Sequence, residues 1–162
     1  MKEVYSSNFF ILKDLFLPIF KKIQEVTGCR DYTAKYKKDD IDGVDTAYRV
    51  VADHLRCISI AIADGGVPDN YGRGYILRRI IRRAVTYGHK YLGAKKGFFS
   101  TLPPVIGEIL GDFFPEVKAD MENIQAIILD EELSFSKTLT NGLKYFEKSN
   151  KRKNCFTLTS FQ

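Results

Sequence analysis

Gly72-Arg73-Gly74-Tyr75-Ile76-Leu77-Arg78-Arg79-Ile80-Ile81-Arg82-Arg83-Ala84 decides how this chain folds and what it touches. Wound as a helix, the segment places Arg78, Arg79, Arg82 and Arg83, followed by Thr86, His89 and Lys90, on one face, because residues three and four apart are neighbours. Leu77, Ile80, Ile81, Ala84 and Tyr91 point the other way. One side is built to be buried and the other is covered with arginine, with no acid on the helix itself. Crowded guanidiniums repel one another, and an anion relieves that repulsion. Arginine suits such an anion: its planar fork holds two phosphate oxygens at once and never loses its charge.

The stretch before it, Asp64-Gly65-Gly66-Val67-Pro68-Asp69-Asn70-Tyr71, is dense in turn formers. Its backbone N–H groups, together with the N-terminus of the following helix, form a second attraction for anions. It is not a P-loop, because no Gly-Lys-Ser/Thr follows a four-residue gap. Asn70 sits at the tip of this turn. A side-chain amide both donates and accepts, as reading a base edge requires, and the wide minor groove of an RNA helix is open to such a probe. The structural alternatives are plain: Asn70 as a simple turn residue, and the arginines paired with acids elsewhere in the chain.

Charge is segregated along the sequence. The formal net charge is +5, but from Tyr71 to Gly107 there is no carboxylate, while Arg73, Arg78, Arg79, Arg82, Arg83, Lys90, Lys95 and Lys96 all lie there. From Glu108 to Glu132 acids dominate and Lys118 is the one basic residue. This yields a basic region that attracts phosphates and an acidic region that could instead neutralise it. Cys29, Cys57 and Cys155 have no spacing that suits zinc or a disulfide framework, so reduced thiols are expected. His54 and His89 lie far apart, and neither a metal site nor a nucleophilic triad is supported; no catalytic residue is assigned. No apolar run is long enough to cross a bilayer, and Met1-Lys2-Glu3 does not begin a signal peptide.

Periodicity predicts an all-α fold of about five helices with a Gly-rich loop. Leu15, Phe16, Ile19, Phe20, Ile23 and Val26 mark a helix over residues 12–27, after a lead-in over residues 1–11. Cys29 to Gly43 reads as an exposed loop with a short extended piece around Tyr32. Asp45 is the expected N-cap of a helix over residues 46–63, and a further helix covers residues 75–91. Another spans residues 98–110, with Pro103 and Pro104 in its first turns. A long helix over residues 117–148 follows, with a core-facing seam of Val117, Met121, Ile124, Ile128, Phe135, Leu139, Leu143 and Phe146. The main domain thus covers residues 12–148. In the tail, residues 149–162, the alternation Phe156-Thr157-Leu158-Thr159 leaves room for a short strand.

Several of these stretches together resemble the signature block of alanine–tRNA ligases. They are Asp45-Thr46-Ala47-Tyr48-Arg49, Ala52-Asp53-His54-Leu55-Arg56, Ile62-Ala63-Asp64-Gly65-Gly66-Val67-Pro68-Asp69-Asn70, the arginine helix quoted above, Gly97-Phe98-Phe99, and Glu131-Glu132-Leu133-Ser134-Phe135-Ser136-Lys137-Thr138-Leu139. The likeness runs from about Leu15 to Lys148, and so long an ordered series is specific where a lone Arg-Arg-Ile-Ile-Arg-Arg would not be.

The resemblance implies the helical tRNA-recognition domain of such a ligase, following its class II catalytic domain. The family activates alanine with ATP and magnesium, transfers it to its tRNA, and carries zinc in an editing domain. The catalytic motifs and the zinc motif have no counterpart among these residues, so no cofactor and no activity is expected of this piece alone. The implied partners are the tRNA for alanine, through an acceptor stem with a G·U pair, and the enzyme's own catalytic and editing domains, with no membrane. By position, Asn70 matches the amide that reads the wobble pair. Its family partner is an aspartate in a Leu-Tyr-Asp-Thr-Tyr-Gly-Phe-Pro motif, and the chain stops at Gln162, short of that motif. Arg73, Arg78, Arg79, Arg82 and Arg83 match a block near the acceptor stem, and all are taken as tRNA-binding. Lys151-Arg152-Lys153 has no family role. The expected compartment is the cytoplasm, with an organellar form also compatible. The competing reading is a helical protein-interaction domain that docks its basic face on an acidic partner; a free-standing enzyme is the weakest.

Overall fold

The computed structural model describes the backbone of residues 4–158 and the side chains of residues 15–142, 144 and 145. Among the described residues six α-helices run α1 (Val4–Thr27), α2 (Val44–Ala63), α3 (Gly72–Tyr91), α4 (Pro103–Leu110), α5 (Pro115–Ala119) and α6 (Met121–Leu158), with short 3₁₀ turns at Lys37–Asp39 and Phe99–Thr101. No strand occurs among the described residues, so the fold is all-α. The strand expected near the C-terminus is not formed, because Phe156 to Leu158 continue α6; alternation over four residues is too short to outweigh a helix already propagating. Leu143 and Phe146, expected in the seam, have side chains outside the described residues, as do residues 159–162.

α2 is the central element. It packs against α1, α3, α4, α5 and α6. Its Ala47, Val51, Leu55, Ile58 and Ile62 are almost completely buried, as the helical spacing predicts. They meet Ile19 and Ile23 of α1, Ile81, Ala84 and Val85 of α3, Leu102 and Ile106 at α4, and Ile124 and Ile128 of α6 in one continuous core.

Three element boundaries differ from expectation. α1 begins at Val4, because the segment before Leu12 contains no breaker even though it lacks a clear apolar period. The helix expected over residues 98–110 is a 3₁₀ turn followed by α4, with Pro103 at its first position, where a missing N–H costs nothing. The long helix is broken at Asp120, which ends α5 while its carboxylate accepts from Asn123 Nδ2 at 2.8 Å. Val117, Met121, Ile124 and Ile128 keep their spacing across the break, which hides it from the sequence.

The N-cap of α2 also moves. Gly43, at φ +70°, occupies that position, and Asp45 lies inside the helix, turned fully inward. Asp40 does the capping from the preceding loop, accepting from Asp45 N at 3.2 Å and Thr46 N at 2.7 Å. Asp45 in turn accepts from Thr33 N, Lys35 N and Arg30 Nη1, at 3.2, 2.6 and 2.6 Å. Burial alone would push the Asp45 carboxyl up, but these donors hold it below the usual carboxylate range. The loop before α2 is therefore clamped, and Tyr32 packs its ring on Phe20 and Tyr48.

Candidate nucleic-acid interface

Two glycines set the geometry at the start of α3. Gly72 has φ +55°, a region that suits glycine. At Gly74 the Val67 carbonyl oxygen stands 2.5 Å from where a Cβ would be, and Asp69 N stands 2.8 Å away. Only a residue without a side chain lets the loop of residues 64–71 fold back this closely on the first turn. Tyr71, the N-cap residue, makes no side-chain cap bond, so the first N–H groups of α3 are not closed by it.

The arginines, expected on one outward and unneutralised face, divide into two rows about a quarter turn apart. Arg78 and Arg82 lean over α6. Their Nε atoms donate to the two oxygens of Glu131, at 3.0 and 2.7 Å, and Glu131 is only 6% exposed. Arg82 also lies 5.3 Å over the Phe135 ring. For these two the expectation of an unpaired outward charge is corrected: the acidic region does pair with them, through one buried carboxylate that the two guanidiniums share, which leaves the cluster one net positive charge. Arg73, Arg79 and Arg83 are exposed, and none of the ion pairs among the described residues involves them. Arg79 and Arg83 each lie over a tyrosine of their own helix, Tyr75 and Tyr87, at 5.8 and 5.7 Å. At that distance each ring face attracts the cation without removing its charge.

His89, counted with the arginine face in the sequence reading, turns inward, with Nδ1 2.7 Å from the Ala94 carbonyl and its ring against Phe98. Beside the open row, toward α2, lies a cleft of about 380 Å³ lined by His54, Ile76, Arg79, Ile80, Arg82 and Arg83. Burial and the neighbouring Arg83 hold the His54 imidazole below its ordinary value, with Asp53 opposing. Lys90 is exposed at the far end of the same helix.

Asn70 is exposed on the loop. Its backbone N–H donates to Asp69 Oδ1 at 2.6 Å, and its Oδ1 accepts from Arg78 Nη1. Arg78 Nη2 reaches the Pro68 carbonyl at 3.4 Å. The amide and the arginine helix are thus brought together through Arg78, and Arg73, Arg79 and Arg83 of the same helix are open to solvent.

Glu131 and Glu132 were not singled out as site residues, although a signal for them exists. They fill the gap between Ile128 and Phe135, on the core side of α6, where a carboxylate needs a partner. Glu132 is fully buried and accepts from Gly97 N at 2.9 Å and Phe99 N at 3.2 Å, closing the turn before α4. Burial pushes its carboxyl up despite these donors. No group of three or more His, Cys, Asp or Glu among the described residues is placed to hold a metal. Cys29 and Cys57 are free thiols. No helix among the described residues is long and apolar enough to cross a membrane.

The chain is 58% identical over 129 residues to the cytoplasmic alanine–tRNA ligase of Drosophila melanogaster, covering 80% of this chain and 13% of that protein. It is 54% identical over 136 residues to the alanine–tRNA ligase of Schizosaccharomyces pombe, covering 83% and 14%. It is 50% identical over 136 residues to the mitochondrial enzyme of Saccharomyces cerevisiae, again covering 83% and 14%. The chain therefore spans about one seventh of the length of these relatives. The family model for class II (A) tRNA synthetases matches residues 5–160, nearly all of the sequence. By that match the chain belongs to the class II (A) tRNA synthetase family.

Proposed function

We propose that this chain is the acceptor-stem recognition domain of an alanine–tRNA ligase, working within a longer protein that attaches alanine to its tRNA with ATP. One observation carries the reading: an exposed amide, Asn70, is tied through Arg78 to a helix that carries three further exposed arginines with no carboxylate partner among the described residues. Arg73, Arg79 and Arg83 hold phosphates, and Asn70 probes the base pair, here a G·U wobble. Phosphate contacts fix register while base-edge contacts supply discrimination. Arg78 and Arg82 lie on the same helix but give their Nε donors to Glu131. Arg82 keeps its terminal Nη groups for phosphate, whereas those of Arg78 hold Asn70 Oδ1 and the Pro68 carbonyl, so Arg78 takes part through the loop.

The catalytic and editing domains of the same protein are the further partners. The ATP and magnesium of aminoacylation, and the zinc of editing, belong in this reading to those other domains, and no chemical step is assigned to this chain. The relatives' names include both cytoplasmic and mitochondrial enzymes, and the cytoplasm is the favoured compartment. A protein-interaction domain would share the charge pattern but gives no role to an exposed amide tied to the basic helix.

The test compares two RNA hairpins that differ only in carrying a G·U or a G·C pair. Asn70→Ala should lower the preference for G·U on the order of tenfold while weakening G·C binding little, since one good base contact discriminates by about that much. Equal losses on both hairpins would remove the reading role.

A further inference from the structure

We infer that Arg78 and Glu131 form a positioning device that fixes which way the Asn70 amide faces, an inference that rests on the reading of Asn70 given above. Arginine carries donors and no acceptor. The Asn70 atom that meets Arg78 Nη1 must therefore be Oδ1, which leaves Nδ2, a pure donor, turned away from the protein toward whatever approaches the loop. Between Val67 and Asn70 the loop's only hydrogen bonds to the body of the protein, among the described residues, come from Arg78: one to Asn70 Oδ1 and one to the Pro68 carbonyl.

Arg78 can hold the loop because it is itself held. Its Nε is fixed on Glu131 Oε2, its side chain is 20% exposed, and the second carboxylate oxygen is occupied by Arg82. The guanidinium is thus anchored at its inner edge and presents its outer nitrogens to the loop. A phosphate bound by Arg78 would compete for those same nitrogens, so Arg78 acts through Asn70. Glu131, on α6, acts one step further back and needs no contact with RNA.

The test uses the 162-residue chain labelled for NMR, with Arg78→Lys, which keeps the charge but loses the fork, and Glu131→Gln. In the unmodified protein the Asn70 side-chain amide should be ordered and shifted from its unfolded position. In both variants its order parameter should fall below about 0.6, while circular dichroism shows the helices intact. With the G·U and G·C hairpins, Glu131→Gln should cut selectivity on the order of tenfold, and adding Asn70→Ala should cut it no further. An Asn70 amide that stays ordered in Arg78→Lys and Glu131→Gln, or is already loose in the unmodified chain, overturns the device. So does a selectivity loss in Glu131→Gln that adds to that of Asn70→Ala. An amide that loosens as described in a protein with no hairpin selectivity leaves the device standing and sinks the reading of Asn70 alone.

Discussion

Residues 28–43 lead into α2 and residues 64–71 lead into α3, and the two loops are secured by different means. The first is gripped by the buried carboxylates Asp40 and Asp45, which between them take donors from Arg30, Thr33, Lys35 and the start of α2. Arg30 also forms a two-nitrogen contact with Asp42, at 2.9 and 3.0 Å, which holds that exposed carboxyl below its usual range. The second loop has no buried acid of its own. Beyond the backbone bonds that tie residues 64–66 to the end of α2, it rests on the close approach at Gly74 and on one arginine reaching out from α3. Redundant bonding keeps the first loop as part of the fold. Sparse bonding leaves the second loop's polar groups facing outward, as a recognition element requires.

The largest effect expected from this contrast belongs to the first loop. Asp45→Ala leaves Arg30 and two backbone N–H groups without their buried partner, and should cost about 3–5 kcal/mol in denaturant unfolding. Asp69→Ala, in the second loop, should stay within about 0.5 kcal/mol. Similar costs at the two positions would erase the distinction.

A smaller effect sharpens the account of the second loop. Gly74→Ala drives a Cβ onto the Val67 carbonyl and should cost about 1–3 kcal/mol as the loop is forced away. RNA affinity should fall with it, measured on the same hairpins under conditions where the protein is folded. A fully stable Gly74→Ala chain would mean that the loop is free to swing and that its packing on α3 matters little.

Much of the fold was legible beforehand because α2 and α3 carry long, regular apolar stripes, and those stripes are what they bury. Boundaries were less legible wherever periodicity and hydrogen bonding disagree. The seam crossing Asp120 keeps its spacing although the helix does not, and Asp45 looked like a cap because nothing nearby showed that Asp40 would take that role. The arginine block was visible as a block, but its division was not. Arg78 and Arg82 differ from Arg79 and Arg83 by about 100° around one helix, and which pair meets an acid depends on where α6 lies. Glu131 is 49 residues beyond Arg82, a separation that no local pattern spans. Glu131 and Glu132 interrupt an apolar stripe, and that interruption was the one local sign of a buried charge.

The smallest expected effect concerns His54, beside the outward arginines. Its imidazole is held below the ordinary 6.5 by burial and by Arg83, so the unfolded chain takes up the proton more readily. Stability is therefore full above pH 6.5 and declines as pH falls below it. His54→Gln should flatten that part of the melting-temperature profile, and Arg83→Gln should flatten it less, since burial is the larger cause. A profile that His54→Gln leaves unchanged would show that the imidazole protonates as easily in the folded chain as in the unfolded one.

The separation of the arginines into a paired row and an open row is best tested by the salt dependence of binding to an acceptor-stem hairpin. Replacing Arg73, Arg79 and Arg83 together with Gln should leave stability within about 1 kcal/mol and reduce the logarithmic salt slope by about three, one for each phosphate contact removed. An unchanged slope, or a chain that unfolds without these three side chains, would contradict the assignment of the open row to RNA.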